Sequence, residues 1–233
     1  MSATRIPPRA HRERDVLPPP PSRASRAPTA SPPLAPARAA IGLTFDDGPD
    51  PVWTPRVLDA LARHGARATF FAIAPRAANA PDVVGRILDE GHRIELHCHD
   101  HVRHTERTED AVARDTERAL RQLERLGVRP RLWRVPWGVH APFSARVADR
   151  FGLRLVRWDA DTHDWRGDSA ADMERAIAPD VEAGTVVLAH DGLGPGATRD
   201  GCAATVELIG RLAGDAHTRN IALLPLDHRG LPG

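Results

Sequence analysis

The sequence has no lysine, no tyrosine, only two cysteines and no long apolar run. No window approaches the roughly 18 consecutive apolar residues of a membrane-spanning helix, which excludes such a span. Cys98 and Cys202 are too few for a disulfide framework and too far apart for a zinc ribbon. All 32 basic residues are arginine, which together with the missing tyrosine is attributed to coding bias and carries no functional inference.

Large apolar side chains are also nearly absent from the first forty residues, which hold ten of the 22 prolines. Such a segment cannot bury enough surface to offset ordering entropy, so residues 1–40 are expected to be a disordered Pro/Ala/Arg-rich tail. Its seven arginines against Glu13 and Asp15 make it +5, and because the whole chain is +1 the remainder is −4. The tail has no aromatic interleaving, so a nucleic-acid partner is not expected and a solvated linker is. Proline interrupts every alanine-rich stretch, leaving no 7–15-residue apolar core of a secretory signal, and the expected location is cytoplasmic.

From Ile41 onward short apolar runs alternate with segments of helical period, which predicts a single domain over 41–233 built from βα units on a mainly parallel sheet. Predicted strands are 41–45, 68–73, 93–96, 131–134, 153–158, 185–189 and 221–224. Helices are predicted over 54–64, 82–90, 109–126, 143–150, 170–180 and 203–212. Gly65, Gly91, Gly127, Gly152 and Gly184 each follow a predicted helix, where a left-handed residue ends it at little cost. Spacing alone leaves a closed barrel and an open doubly wound sheet both in play.

Ionisable residues gather at the carboxyl ends of five predicted strands: Asp46-Asp47, His97 to His101, Arg134, Asp159 to Asp164, and His190-Asp191. Parallel α/β folds build active sites on that edge. Asp46 and Asp47 leave the first strand just before Gly48-Pro49, and carboxylates so close raise each other's pKa unless a cation separates them. His97 and His101 stand four apart, so a helical turn would present both imidazoles to one ion. In an extended segment His99 would share that face, and Cys98 is a further competitor. Two histidines and one carboxylate make a standard open zinc site. Trp158 to Trp165 sets acids and a histidine between indoles suited to sugar faces. His190 ends a buried-strand pattern, with a side chain that titrates near working pH.

These segments resemble the NodB-homology polysaccharide deacetylases, carbohydrate esterase family four. Thr44-Phe45-Asp46-Asp47-Gly48-Pro49 matches the first family motif, and His97 to His101 the second. Arg134-Val135-Pro136-Trp137-Gly138 matches the third, Asp161-Thr162-His163-Asp164-Trp165 the fourth, and Leu188-Ala189-His190-Asp191-Gly192 the fifth. Order and spacing agree over about residues 40–226.

The resemblance implies a distorted (β/α) barrel of about seven parallel strands. It also implies one divalent metal, most simply Zn2+ with Co2+ or another divalent ion as alternatives, held by Asp47, His97 and His101. By the same resemblance Asp46 is the general base, His190 the general acid, Arg134 the partner of Asp46 and Asp164 the partner of His190. The Trp137 backbone N–H would help hold the oxyanion, with Trp137 and Trp165 walling the substrate pocket. Leu96 replaces a common asparagine, Val102 a common proline and Trp137 a common tyrosine; none of the three removes a catalytic group, but the last alters the sugar wall. The implied activity is hydrolysis of the acetamide of N-acetylglucosamine in chitooligosaccharide-like substrates. The alternatives are a hydrolase of non-sugar amides or cyclic imides on the same fold, and an inactive glycan-binding module.

Overall fold

The computed structural model describes residues 39–233. Residues 1–38 of the expected tail lie outside it. Strand β1 (Ala40–Asp46) is buried along its whole length, as an uninterrupted apolar run with parallel neighbours on both sides requires. It pairs on one flank with β7 (Val186–His190) and on the other with β2 (Thr69–Ile73). β3 (Arg93–Cys98), β4 (Leu132–Trp133) and β5 (Arg154–Leu155) continue beyond β2, and β6 (Ala160–Asp161) lies beyond β7. The short β8 (Ala222–Leu223) pairs with Ala40 and Ile41, below the stretch of β1 that β2 takes. All pairings between these strands are parallel.

The sheet order β5-β4-β3-β2-β1-β7-β6 has two ends that are not bonded to each other. The chain itself spans that gap. Val156 N–H donates to the Trp133 carbonyl of β4, and three residues later Asp159 N–H donates to the Val186 carbonyl of β7. Three residues of extended chain reach roughly 10 Å at most, so the two sheet ends lie close and the sheet curls into an almost closed barrel. Of the predicted fifth strand 153–158 only β5 is strand, the rest being the connection to β6 at the other end of the sheet, and Thr162 to Asp164 follow β6. The run of alternating apolar residues at 153–158 gives no sign of where it changes partner.

Helices α1 (Trp53–Arg63), α2 (Ala74–Asn79), α3 (Pro81–Asp89), α4 (Glu109–Glu124), α5 (Ser144–Arg150), α6 (Ala170–Ile177) and α7 (Ala203–Thr218) connect the strands. Leu58, Leu61, Ile87, Leu123, Val147, Met173 and Leu208 pack with Leu43, Phe45, Phe70, Leu96 and Val187 into the outer core. Phe71, adjacent to Phe70 and so on the other sheet face, joins a smaller cluster with Leu132, Val156, Val186 and Leu226. That cluster fills the barrel interior beneath the carboxyl edge. Burying each large side chain in these layers contributes about 1.5–3 kcal/mol. The predicted helix starts hold within a residue or two, and α2 and the last two turns of α7 are additions. Alanine-rich α2 has too short an apolar stripe to stand out by period. No helix of the described residues is long and apolar enough to cross a membrane.

Candidate active site

Asp46 ends β1 in register with His190 at the end of β7, so pairing of these two strands alone sets the two groups across from each other. Asp47 leaves the strand with φ 71°, a left-handed conformation that non-glycine residues seldom adopt. That turn breaks the strand alternation and sends neighbouring carboxylates to different partners.

Asp46 is met by Arg134, whose Nη1 donates to Oδ1 at 2.9 Å and to Thr44 Oγ1 at 2.7 Å. Arg134 is fully buried, with its guanidinium 4.2 Å above the Phe71 ring and Nη2 donating to the Arg157 carbonyl at 3.1 Å. It thereby seats the Asp46 carboxylate on the interior cluster and ties it to the segment that spans the barrel gap. Burial lowers the Arg134 pKa, and the Asp46 carboxylate opposes that shift.

Asp47 Oδ1 lies 3.4 Å from His97 Nε2 and 3.1 Å from His101 Nε2, and the two Nε2 atoms are 3.1 Å apart. These separations match those between ligands of a tetrahedral zinc with bonds of about 2.0–2.1 Å, which are roughly 3.3 Å. Asp47 Oδ1 is buried and makes no hydrogen bond within the described residues. His97 Nδ1 donates to the Arg134 carbonyl at 2.7 Å, which leaves its Nε2 as the lone-pair side of a neutral ring. An orphaned carboxylate oxygen and two converging imidazoles fit a divalent cation. Burial would raise the Asp47 pKa, but His101 and His97 together hold it well below the usual range. Burial opposes charge on His97, yet Asp46 and Asp47 raise its pKa.

The segment after His97 turns sharply because Asp115 on α4 accepts the N–H groups of His99 at 3.0 Å and Asp100 at 2.9 Å. His101 is thereby returned to the site, whereas His99 pairs with Asp100 at 2.8 Å and Cys98 stays buried on the other side. His97 and His101 line the active-site pocket; Cys98 and Asp100 line a separate cavity on the opposite side of this segment. Of the arrangements open from sequence, the structure brings His97 and His101 together, through a bend at 99–100 rather than the helical turn expected.

His190 is supported by Asp164, which follows β6. Its Nδ1 donates to Asp164 Oδ1 at 2.7 Å and its backbone N–H to Oδ2 at 2.9 Å. Burial disfavours the imidazolium, but Asp164 outweighs it and raises the His190 pKa to about 9. Burial likewise works against ionised Asp164, while His190, Arg199 and Thr205 hold it at about 2. Asp191, the next residue, is buried and raised to about 7 by that burial, with Thr54 donating to it.

Asp46, Asp47, His97, His101 and His190 line one pocket of about 440 Å3 with Trp137, Trp158, Asp161, Trp165 and the 192–197 loop. The Trp137 ring packs edge-on against His101 at 4.2 Å, and Arg103 stacks over it at 4.4 Å. Trp137 sits at φ 54°, a strained setting for a bulky residue at about 1–3 kcal/mol, here on the rim of the site. A Cβ on Gly194 would fall on the Asp47 carboxylate, so only glycine lets the 192–197 loop approach that closely. Arg76 on α2 fixes the approach by donating to the Asp47 carbonyl at 2.7 Å and the Leu193 carbonyl at 2.9 Å. Arg76, Arg103, Asp115, Arg199 and Thr205 carry no local signal in a sequence so rich in arginine, and only their contacts single them out.

A curled parallel sheet bearing a carboxylate–histidine cluster at its carboxyl edge is the architecture of a carbohydrate esterase. A family 4 carbohydrate esterase from Streptomyces lividans superposes with a TM-score of 0.76 over 84% of this chain and 97% of its own, at 28% identity. The model of the family described as polysaccharide deacetylase matches residues 35–156, and the chain belongs to that family. A chitooligosaccharide deacetylase of Bradyrhizobium sp. (strain ANU 289) is 35% identical over 71% of this chain and 76% of its own length. One from Sinorhizobium fredii (strain NBRC 101917 / NGR234) is 32% identical over 81% and 91%. The peptidoglycan-N-acetylglucosamine deacetylase PgdA of Listeria monocytogenes is 35% identical over 68% of this chain, which spans only 34% of that relative.

Proposed function

We propose that this chain is a metal-dependent N-deacetylase that hydrolyses the acetamide of N-acetylglucosamine in chitooligosaccharide-like glycans, giving acetate and a free amine. The observation that carries this reading is the pairing of Asp46 with His190 beside the Asp47–His97–His101 cluster in one pocket. Near-full coverage of the Sinorhizobium chitooligosaccharide deacetylase supports the substrate class.

A divalent ion on Asp47 Oδ1, His97 Nε2 and His101 Nε2 would polarise the acyl oxygen and lower the pKa of a water toward about 7. Arg134 occupies Asp46 Oδ1, which leaves Oδ2 to take the proton of the attacking water. The water oxygen bonds to the acyl carbon and the carbon–nitrogen bond breaks. His190, with Nδ1 spent on Asp164, gives the departing amine its Nε2 proton. The Trp137 N–H helps hold the negative acyl oxygen. The indoles of Trp137, Trp158 and Trp165 offer flat apolar faces to sugar rings.

Incubating the zinc-loaded protein with an N-acetylchitooligosaccharide panel and with small linear and cyclic amides tests the reading, free amine being measured and glycan products weighed by mass spectrometry. Amine release from the glycans is expected. Turnover of only the small amides would refute the glycan assignment, and turnover of nothing would make the chain a binding module.

A further inference from the structure

The Asp164 carboxylate is shared more widely than the His190 pair requires. Oδ2, which accepts the His190 backbone N–H, also accepts Arg199 Nη1 at 2.8 Å and Thr205 Oγ1 at 2.7 Å. Arg199 belongs to the segment between β7 and α7, and Thr205 to the first turn of α7. The Arg199 side chain is only 5% exposed. Its Nη2 donates to the carbonyls of His190 at 3.0 Å and Gly192 at 3.3 Å, so one guanidinium grips the carboxylate, the backbone of His190 and the pocket loop together. Thr205 Oγ1 also accepts from Arg199 Nη1, closing a ring of three side chains.

Charge balance gives this ring a task. Before proton transfer, Asp164 faces an imidazolium; afterwards it faces a neutral ring. A buried carboxylate left without a cation is strongly disfavoured, and that cost would oppose release of the proton. A second cation that does not titrate removes this opposition. We propose that Arg199, braced by Thr205, is the positioning residue of the proton donor: it fixes the carboxylate that aims His190 and remains as its counter-charge once the proton has left. The proposal rests on the reading of His190 as the acid.

The test is steady-state kinetics of the zinc-loaded full chain on N-acetylchitooligosaccharides for Arg199→Gln, Arg199→Lys, Thr205→Val and His190→Ala, with zinc content and Tm measured for each. Arg199→Gln is expected to lower kcat about ten- to hundredfold, the scale seen for partners of site residues, with KM and zinc content nearly unchanged. Arg199→Lys keeps the charge and should recover most of the loss. A kcat for Arg199→Gln within about threefold of the parent overturns the proposal, since that is less than about 0.7 kcal/mol at the transition state. No recovery in Arg199→Lys overturns the counter-charge role. Where Arg199→Gln does not fold, Thr205→Val decides: a lower kcat at unchanged KM and Tm supports the ring, and an unchanged kcat refutes it.

His190→Ala separates the two readings. An active His190→Ala enzyme sinks the acid assignment itself, whereas an inactive one beside a normal Arg199→Gln sinks only the role of Arg199. If the parent turns over no glycan, the downfield proton resonance of His190 Nδ1–H is the readout. Its loss or broadening in Arg199→Gln supports the proposal, and an unchanged line overturns it.

Discussion

Adjacent residues with unlike tasks are the clearest feature at the scale of single side chains. Asp46 stays on the strand and meets Arg134; Asp47, at φ 71°, turns toward His97 and His101. Asp46→Asn keeps shape and hydrogen-bonding capacity but loses the proton-accepting charge. It should cut kcat by about 10²–10⁴ while zinc content stays at the parent level. His97→Ala removes one of three ligand atoms and should emerge from purification without stoichiometric zinc. An active Asp46→Asn enzyme would contradict the assignment of the base.

The pH profile follows from His190. Its imidazole donates only while protonated, and Asp164 extends that range upward to about 9. Activity should therefore fall on the alkaline side. Asp46 and Asp47 also contribute to the rise, and a divalent ion beside them cancels their part but not that of Asp164. Asp164→Asn removes the main support and leaves burial, which favours the neutral ring, so the alkaline limb should move down by at least about one pH unit. A limb that stays in place would mean that another group controls it.

Secondary-structure elements decide how the residues are held. His97 and His101 meet because α4 presents Asp115 to two N–H groups of the turn between them. Asp115→Ala leaves both donors without their partner and lets the turn relax toward an extended path. Zinc affinity should weaken about 10–100-fold in chelator competition, with helix content unchanged by circular dichroism. Parent-level affinity would show that the turn holds without its cap.

Most strands and helices were legible because apolar period and glycine punctuation are local properties. The strand-edge cluster was legible for the same reason, since strand ends can be located without knowing what pairs with what. The change of sheet edge between β5 and β6 was not, because apolar residues and arginines run through 153–158 with no turn residue to mark it. Nor were Arg76, Arg199 and Thr205, whose importance lies in contacts with residues far away in sequence. The choice between His99 and His101 also needed Asp115, fourteen residues beyond His101 and on another element.

At the scale of the whole molecule, the candidate cation site joins β1 to the end of β3 across β2, so an ion bound there would couple metal binding to folding. Free zinc at about 100–1,000 times its Kd would add roughly 2.7–4.1 kcal/mol to stability. For a domain of this size that corresponds to a Tm difference on the order of 10 °C between loaded and chelator-stripped protein. Equal melting temperatures in differential scanning calorimetry would argue against Asp47, His97 and His101 as a joint cation site.

β1 also divides the site. The proposed base, the proposed cation ligands and Arg134 lie at or just past the ends of β1, β3 and β4, whereas Asp164 follows β6, His190 ends β7, Arg199 precedes α7 and Thr205 is in its first turn. The family match over 35–156 ends before the second group begins. Among the described residues the two groups are tied through β1, the 192–197 loop and the Arg134–Arg157 hydrogen bond ahead of β6, so their supports are largely separate. A descendant that loses His190 or Asp164 would inherit an intact barrel, an ion and a sugar-sized pocket, and could persist as a lectin. Loss of the proposed acid and loss of the ion would thus arise in different stretches of the same gene.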